Sequence, residues 1–221
     1  MPAIPAKKFK GIILTSNGVH DAVSAKKIAE PLKDMLEVTS LQGIRVAYIA
    51  NAADTYRFKF HIHRSIKVWL DMHVDLHIVD LDAPLTHIRK ELQQAQVLYV
   101  EGGNTFHLLY HFRKSKLDKE IHNYLHLVYI GSSAGSIIAG PNILIAALAG
   151  DKNLEIDQPD LRGLAIVPFI VWPHHRAHFS WQAFFSMPGR GQHRMLFFNK
   201  VVPLRDGEII TLSNKYRFKK F

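Results

Sequence analysis

The segment from residue 128 to residue 140 constrains the fold of this chain more than any other. Its apolar start, residues 128–130, predicts a short strand buried on both faces, and residues 136–139 predict the first turn of a helix. Between them lies Gly-Ser-Ser-Ala-Gly at 131–135, which matches the G-x-S-x-G nucleophile elbow. The central Ser133 is therefore a candidate nucleophile. The alternative is an ordinary small-residue turn, because short motifs also match by chance.

Predicted strands and helices alternate along the rest of the chain. Apolar runs predict strands, and amphipathic runs predict helices, the first of which could be capped by Asp21 and kinked or broken at Pro31. This alternation predicts an α/β fold with three layers, in which a largely parallel sheet lies between helices. The predicted strands cover 9–15, 44–50, 74–81 and 97–100, and the predicted helices cover 21–37, 56–72, 84–94 and 117–125.

Length and composition predict a single domain. The 221 residues are 48% hydrophobic, which is enough for a sizeable core, and residues 1–8 and 214–221 are predicted to be peripheral tails. The chain has no cysteine, which excludes a disulfide framework, a thiol nucleophile and a cysteine-ligated metal. No apolar run is long enough for a membrane span and no signal peptide is evident, so we expect no membrane partner and a cytoplasmic location.

The charge of the chain favours acidic partners only in a general way. The formal net charge is +9, but the basic residues are scattered, and their one dense cluster is the segment 215–221. Basic residues interleaved with aromatic ones can bind nucleic acid. A solvated terminus is the commoner explanation of such a segment, so we do not expect a nucleic-acid partner.

Two further segments are predicted to reach the carboxyl edge of the sheet, where ligands bind in folds of this type. Residues 101–106 contain two glycines followed by Asn104 and Thr105, either of which could cap the next helix. This segment predicts an oxyanion or substrate loop, or else a plain strand-to-helix turn. The second segment is an apolar strand at 167–172 that ends in Pro173 and His174.

His174 is the candidate general base, because imidazole accepts and returns a proton near neutral pH. Its neighbours His175 and His178 are rivals in a chain with 14 histidines. His174 and His178 also have the spacing of a metal-binding pair. The glutamate of the H-E-x-x-H motif is missing, so we predict no metal site there.

The third catalytic group should be a carboxylate that orients the imidazole. Asp206 follows a short predicted strand at 201–204, and the Asp206-Gly207 pair is also a strong hairpin signal, with 207–212 as its second arm. Asp151 and Asp157 remain alternatives.

Three motifs in this order resemble the dipeptidase E (alpha-aspartyl dipeptidase) and cyanophycinase family of serine peptidases. They are Gly-Gly-Asn-Thr-Phe at 102–106, the elbow at 129–135, and the segment from 167 to His174. The resemblance implies a fold like that of the class I glutamine amidotransferases. It also implies that Ser133 is the nucleophile, that His174 is the base, and that the amides of Gly103 and Ala134 form the oxyanion hole. Asp206 lies where dipeptidase E has a glutamate followed by glycine.

The resemblance also implies a substrate. Dipeptidase E cleaves dipeptides with an N-terminal aspartate, and Arg190 matches the arginine associated with the aspartyl side chain. Arg190 and Asn104 are thus the predicted substrate-binding residues, and the expected partner is a small acidic peptide. No cofactor is expected, and nothing in the sequence excludes a homodimer. The alternatives are a cyanophycinase-like hydrolase of an aspartyl-linked polymer, and a catalytically silent fold member that binds an acidic partner through its basic surface.

Overall fold

The fold is an α/β arrangement of alternating strands and helices. The structure is a computed structural model that describes residues 9–55, 59–148, 151, 160–175, 200–213 and 219–221. The strands in these ranges are β1 (Gly11–Thr15), β2 (Arg45–Ile49), β3 (Asp75–Ile78), β4 (Val97–Val100), β5 (Val128–Ser132), β6 (Phe169–Trp172), β7 (Lys200–Pro203), β8 (Ile209–Ser213) and β9 (Lys219–Lys220). The α-helices are α1 (Ala22–Leu36), α2 (Phe60–Asp71), α3 (Leu85–Gln94), α4 (Thr105–Lys114), α5 (Leu117–Glu120), α6 (Ala134–Ile138) and α7 (Ile145–Leu148).

Seven of these strands form one sheet in the order β3-β2-β4-β5-β1-β8-β9. The pairs from β3 to β1 are all parallel, and the pairs β1–β8 and β8–β9 are antiparallel. Because side chains alternate along a strand, each central strand feeds two cores. In β2, for example, Ala47 and Ile49 pack on one face and Val46 and Tyr48 on the other. The predicted three-layer, largely parallel architecture is therefore confirmed.

Helix α1 does not break at Pro31, where the sequence predicts a kink or a break. It runs without interruption from Ala22 to Leu36, with Asp21 as its N-cap. An internal proline costs about 3 kcal/mol or more. Burial of Ile28, Leu32 and Met35 against the sheet outweighs that cost, since each such side chain contributes roughly 1.5–3 kcal/mol.

The chain after β5 departs furthest from the predicted pairing. Strand β6 does not join the main sheet but pairs with β7 in a separate two-stranded parallel sheet. The hairpin predicted around Asp206 and Gly207 is also wrong, because β8 pairs with β1 and β9 instead of with β7. The Asp206-Gly207 turn thus carries the chain from the small sheet to the large one.

The ends of the chain contribute unequally to the described structure. Residues 1–8 lie outside the described residues. Within the segment 214–221, which the sequence predicts to be a peripheral tail, Lys219 and Lys220 form the edge strand β9 on β8. Among the described helices, none is both long enough and apolar enough to cross a membrane.

Candidate active site

The turn between β5 and α6 has the conformation of a nucleophile elbow. Ser133 has φ 45° and ψ −105°, a backbone conformation that costs a non-glycine residue about 1–3 kcal/mol. The turn also needs the glycines on either side of it. A Cβ atom on Gly135 would lie 2.2 Å from the carbonyl oxygen of Val100, and one on Gly131 would lie 2.6 Å from that of Gly135. The motif is therefore explained by close backbone approach on both sides of Ser133.

Buried hydrogen bonds hold this elbow against the neighbouring strand. The Ser133 amide donates to the carbonyl of Thr15 at 3.1 Å. The hydroxyl of Ser136 lies 2.8 Å from the Thr15 carbonyl and accepts from the Thr15 amide at 3.0 Å. The hydroxyl of Tyr129 donates to the carbonyl of Gly135 at 2.7 Å. Ser136 is fully buried and Ser132 nearly so, which leaves Ser133 as the accessible serine of the motif.

His174 lies between Ser133 and a carboxylate. Its Nε2 is 2.9 Å from Ser133 Oγ, and its Nδ1 is 2.7 Å from Asp206 Oδ1. A carboxylate beside Nδ1 accepts a hydrogen bond from the Nδ1–H group, so the lone pair of Nε2 faces the serine hydroxyl. The neighbouring His175 is turned away, with its ring against Trp172 at 4.6 Å between centroids. His178 lies outside the described residues.

Ser16 joins the histidine and the carboxylate. Its hydroxyl accepts from the amide of His174 at 2.8 Å and donates to Oδ1 of Asp206 at 2.8 Å. The adjacent Asn17 side chain accepts from the amide of Gly207 at 3.0 Å. The sequence analysis missed Ser16. The available signal was its position at the carboxyl end of β1, the strand next to the elbow strand.

Of the other two candidate carboxylates, the structure describes only Asp151. Asp151 accepts from the amide of Thr105 at 2.8 Å, and its burial raises the pKa of its carboxyl above the ordinary value. Asp157 lies outside the described residues. Of the candidates that are described, Asp206 is the one in hydrogen-bond contact with His174.

The loop after β4 approaches the elbow from the other side. Glu101 is buried, accepting from the hydroxyl of Tyr48 at 2.6 Å and from the amide of Gly102 at 2.8 Å. Gly103 has φ 148°, and a Cβ atom there would lie 2.2 Å from the carbonyl oxygen of Ala52. Within the described residues, no hydrogen-bond acceptor faces the amides of Gly103 and Ala134.

Of the two predicted substrate-binding residues, only Asn104 is described. Its side chain caps helix α4 by accepting from the amide of His107 at 3.0 Å, and it is not among the side chains that line the cavity described next. Arg190 lies outside the described residues.

A cavity of about 380 Å³ opens over the serine and histidine. Its described lining includes Ser133, His174, Gly103 and Asp151, together with the imidazoles of His20 and His61. No lysine or arginine lines it within the described part of the chain. The cavity is large enough for a small peptide, and its lining combines the Ser133 hydroxyl, the His174 imidazole and the backbone of Gly103, the kinds of group that acyl-transfer chemistry requires.

Comparison with known proteins agrees with this chemistry. Residues 12–217 match the family model described as Peptidase family S51. An uncharacterised peptidase of Listeria innocua is 32% identical over 143 residues, which cover 62% of this chain and 67% of that protein. Peptidase E of a Nostoc species is 31% identical over 137 residues, which cover 59% of this chain and 52% of that protein.

Solved structures show the same fold. A candidate Peptidase E protein from Listeria monocytogenes EGD-e superposes with a TM-score of 0.74 at 23% identity, with 98% of each chain covered. A peptidase from an acI-B1 actinobacterium gives a TM-score of 0.66 at 13% identity, over 96% of this chain and 86% of that one. The family match spans nearly the whole chain, and the chain therefore belongs to peptidase family S51 as a serine peptidase of the Peptidase E type.

Proposed function

We propose that Ser133, His174 and Asp206 form the catalytic triad of this peptidase. The observation that carries the proposal is the chain of contacts from Ser133 Oγ to His174 Nε2 at 2.9 Å, and from His174 Nδ1 to Asp206 at 2.7 Å. Both distances suit a nucleophile with its base and the group that orients the base. The alternative carboxylate Asp151 has its described hydrogen bond with the Thr105 amide instead.

In this mechanism Ser133 Oγ attacks the carbonyl carbon of the scissile peptide bond as its proton passes to Nε2 of His174. The C–N bond then breaks, and His174 returns the proton to the departing amine, leaving an acyl group on Ser133. Water, deprotonated by the same Nε2, then attacks the ester carbon. The bond to Oγ breaks, His174 returns the proton to Ser133 Oγ, and the second product leaves as a carboxylic acid. Asp206 stays ionised and stabilises the imidazolium in both steps.

The amides of Gly103 and Ala134 are the proposed oxyanion donors. Both are without an acceptor among the described residues, and Ala134 begins helix α6 directly after the nucleophile. Two fixed N–H groups stabilise the negative oxygen of a tetrahedral intermediate, and loss of one such donor typically reduces kcat by about 10²–10³-fold. The buried Glu101, which accepts from the Gly102 amide, supports the loop that carries Gly103.

An active-site probe tests the nucleophile. A fluorophosphonate should label the wild type on Ser133, and Ser133→Ala should abolish both labelling and peptidase activity. Ser132→Ala is the matched control, since it removes the neighbouring hydroxyl of the same motif and should still be labelled. Labelling on Ser132 or Ser136 would contradict the assignment. A wild type that neither reacts with the probe nor cleaves peptides would favour the silent fold member that binds acidic partners.

For the substrate, we propose a small peptide with an aspartyl residue next to the scissile bond. The support is the family membership, a relative that is named Peptidase E, and a formal net charge of +9. Arg190, which matches the family arginine associated with the aspartyl side chain, is the proposed partner of the substrate carboxylate. An arginine matches a carboxylate with two parallel hydrogen bonds, which a lysine does not reproduce.

Three dipeptides test this specificity. The wild type should hydrolyse Asp-Leu faster than Asn-Leu and Leu-Leu. Arg190→Ala should lower kcat/KM for Asp-Leu, and the fall should correspond to a loss of roughly 2–5 kcal/mol of transition-state stabilisation. Arg190→Lys should not restore the wild-type kcat/KM. Equal rates on all three substrates in the wild type would refute the acidic preference. A preference that survives in Arg190→Ala would transfer the anion site to another residue, with Arg176 and Arg194 next to be tested. Hydrolysis of a polymer with aspartyl linkages, without dipeptide cleavage, would favour the cyanophycinase-like alternative.

A further inference from the structure

A second cluster of ionisable side chains lies along one face of helix α4. One ligand atom from each of Asp54, His107 and His111 lies within 4.8 Å of the other two. The two histidines are four residues apart on the same helix, so their side chains share one face. Their Nε2 atoms are 3.0 Å apart, which is close to the separation of about 3.3 Å between two nitrogen ligands at tetrahedral Zn–N distances.

The environment of His111 prepares it as a ligand. The side chain is 7% exposed, and its Nδ1 is 2.9 Å from Oδ1 of Asp82. The carboxylate accepts a hydrogen bond from the Nδ1–H group, so Nε2 carries a lone pair that faces His107. Metal-binding histidines commonly have this arrangement, in which a carboxylate behind the ring fixes its tautomer and orientation. A hydrogen bond between the two rings uses one lone pair, whereas a bound metal ion would use both.

We infer that His107, His111 and Asp54 bind a divalent transition-metal ion of the zinc class, with Asp82 as the carboxylate that orients His111. Two imidazoles and one carboxylate are a common zinc ligand set, and a water completes the tetrahedron. The site is distinct from the proposed triad, and none of these four residues lines the cavity over Ser133.

The ion would connect two segments that already meet. Asp54 follows the short 3-10 turn at Asn51–Ala53, and the carbonyl of Ala52 accepts from the amide of Asn104 at 2.8 Å. The same carbonyl packs against Gly103 of the proposed oxyanion loop. A metal bridge between Asp54 and helix α4 would therefore hold the turn against that loop.

Lys59 is the main competitor for this site, because its Nζ lies 2.7 Å from Oδ1 of Asp54. Lys114 lies 2.9 Å from Asp82 in the same way. Both lysines are about half exposed, so their ammonium groups can move into water when the ion binds. Replacing the Lys59 ammonium by a neutral side chain should raise the affinity for the metal ion. A cluster that serves only to stabilise the fold does not predict this increase in affinity.

The test is calorimetric titration of the metal-free, full-length protein with ZnCl₂, together with the absorption spectrum of the Co²⁺ form. We expect one site per chain, a tetrahedral Co²⁺ spectrum, and a zinc-dependent rise in Tm. His107→Gln should weaken zinc binding at least 100-fold. Asp82→Asn should weaken it about 10–100-fold, the usual range for a group that orients a metal-binding histidine, and Lys59→Gln should strengthen it.

Two control variants test whether zinc binds at this cluster and not at other histidines. His87→Gln makes the same substitution on an exposed histidine of helix α3 and should bind zinc as the wild type does. His174→Gln removes the imidazole of the proposed triad and should also leave binding unchanged. Loss of binding in His174→Gln but not in His107→Gln would overturn the inference, as would a wild type that binds no zinc. If His107→Gln fails to fold, the Asp82→Asn and Lys59→Gln titrations decide.

Discussion

The two sides of the candidate site are built in different ways. The nucleophile side is the elbow between β5 and α6, where Ser132, Ala134 and Ser136 are buried among central strands. The base side consists of His174 and Asp206, whose side chains are 47% and 61% exposed. The strands that lead to them belong to the small sheet, not to the large one. The backbone and core therefore fix the candidate nucleophile Ser133, while two hydrogen bonds of Ser16 hold the candidate base His174 and its partner Asp206.

This difference predicts that substitutions on the base side affect chemistry with little loss of stability, whereas substitutions of the residues packed around Ser133 affect folding. The largest expected effect is on catalysis. Asp206→Asn should lower kcat by roughly 10⁴-fold, because an amide at this position favours the wrong tautomer of His174. Urea denaturation should give nearly the wild-type stability, since Asp206 is largely exposed.

Asp151→Asn is the matched control for that variant, because it makes the same change on a carboxylate of the same cavity. We expect it to lower kcat at most about tenfold, since its described hydrogen bond is with Thr105 and not with His174. If Asp151→Asn instead lowers kcat more than Asp206→Asn does, the third catalytic role belongs to Asp151.

The second prediction concerns the nucleophile side. Gly135→Ala should destabilise the protein by about 3 kcal/mol or more, because the new Cβ atom would lie 2.2 Å from a buried carbonyl oxygen that cannot easily move. Gly207→Ala is the comparison on the base side. Its Cβ atom would meet nothing within 4 Å, and the cost of about 1–2 kcal/mol comes from its φ of 83° alone. If chemical denaturation shows that Gly135→Ala and Gly207→Ala lose the same free energy of unfolding, the proposed difference between the two sides is wrong.

The third prediction tests the connection between the sides. Ser16→Ala removes the hydroxyl that contacts both His174 and Asp206. We expect kcat to fall about tenfold with KM unchanged, the effect of losing one hydrogen bond to a charged group. Ser40→Ala, a remote and exposed serine, should change neither constant. A loss of stability with unchanged kcat would mean that Ser16 supports the fold and does not position the base.

The smallest expected effect is on the pH dependence of stability. Burial raises the pKa of Asp151 in the folded chain, so the folded chain binds this proton more tightly than the unfolded chain does. The contribution of Asp151 to stability is complete below the ordinary pKa of an aspartate, and it is lost as the pH rises through the folded-state pKa. Asp151→Asn mimics the protonated carboxyl and should be the more stable protein at pH 7.

Urea denaturation at several pH values measures that difference, which should close as the pH falls below about 3.9, the ordinary pKa of an aspartate. A variant that is less stable than the wild type at pH 7 would contradict the prediction. It would indicate that the hydrogen bond from the Thr105 amide to the ionised carboxylate outweighs the cost of burial.

Local patterns predicted the elements around the site well. The apolar runs that became β4 and β5 are uninterrupted, and Asp21 caps helix α1 as its position before an amphipathic run suggests. Ser133 was identifiable because an elbow needs glycines two positions before and after the serine, a requirement that the sequence shows directly. The pairing of β6, β7 and β8 was not predictable in this way. A short apolar strand shows by its own residues only that it is buried, not which neighbour it pairs with.

The sequence by itself determined the alternation of strands and helices, the elbow and the identity of its serine, because each is encoded within a few consecutive residues. Tertiary structure decided which groups meet there. It brought His174 to Ser133 from a separate small sheet, brought Asp206 and not Asp151 to the far side of the imidazole, and joined His174 to Asp206 through Ser16. Such contacts span tens to nearly two hundred residues of chain, and they follow from how the sheets and loops pack together, which no local sequence pattern specifies.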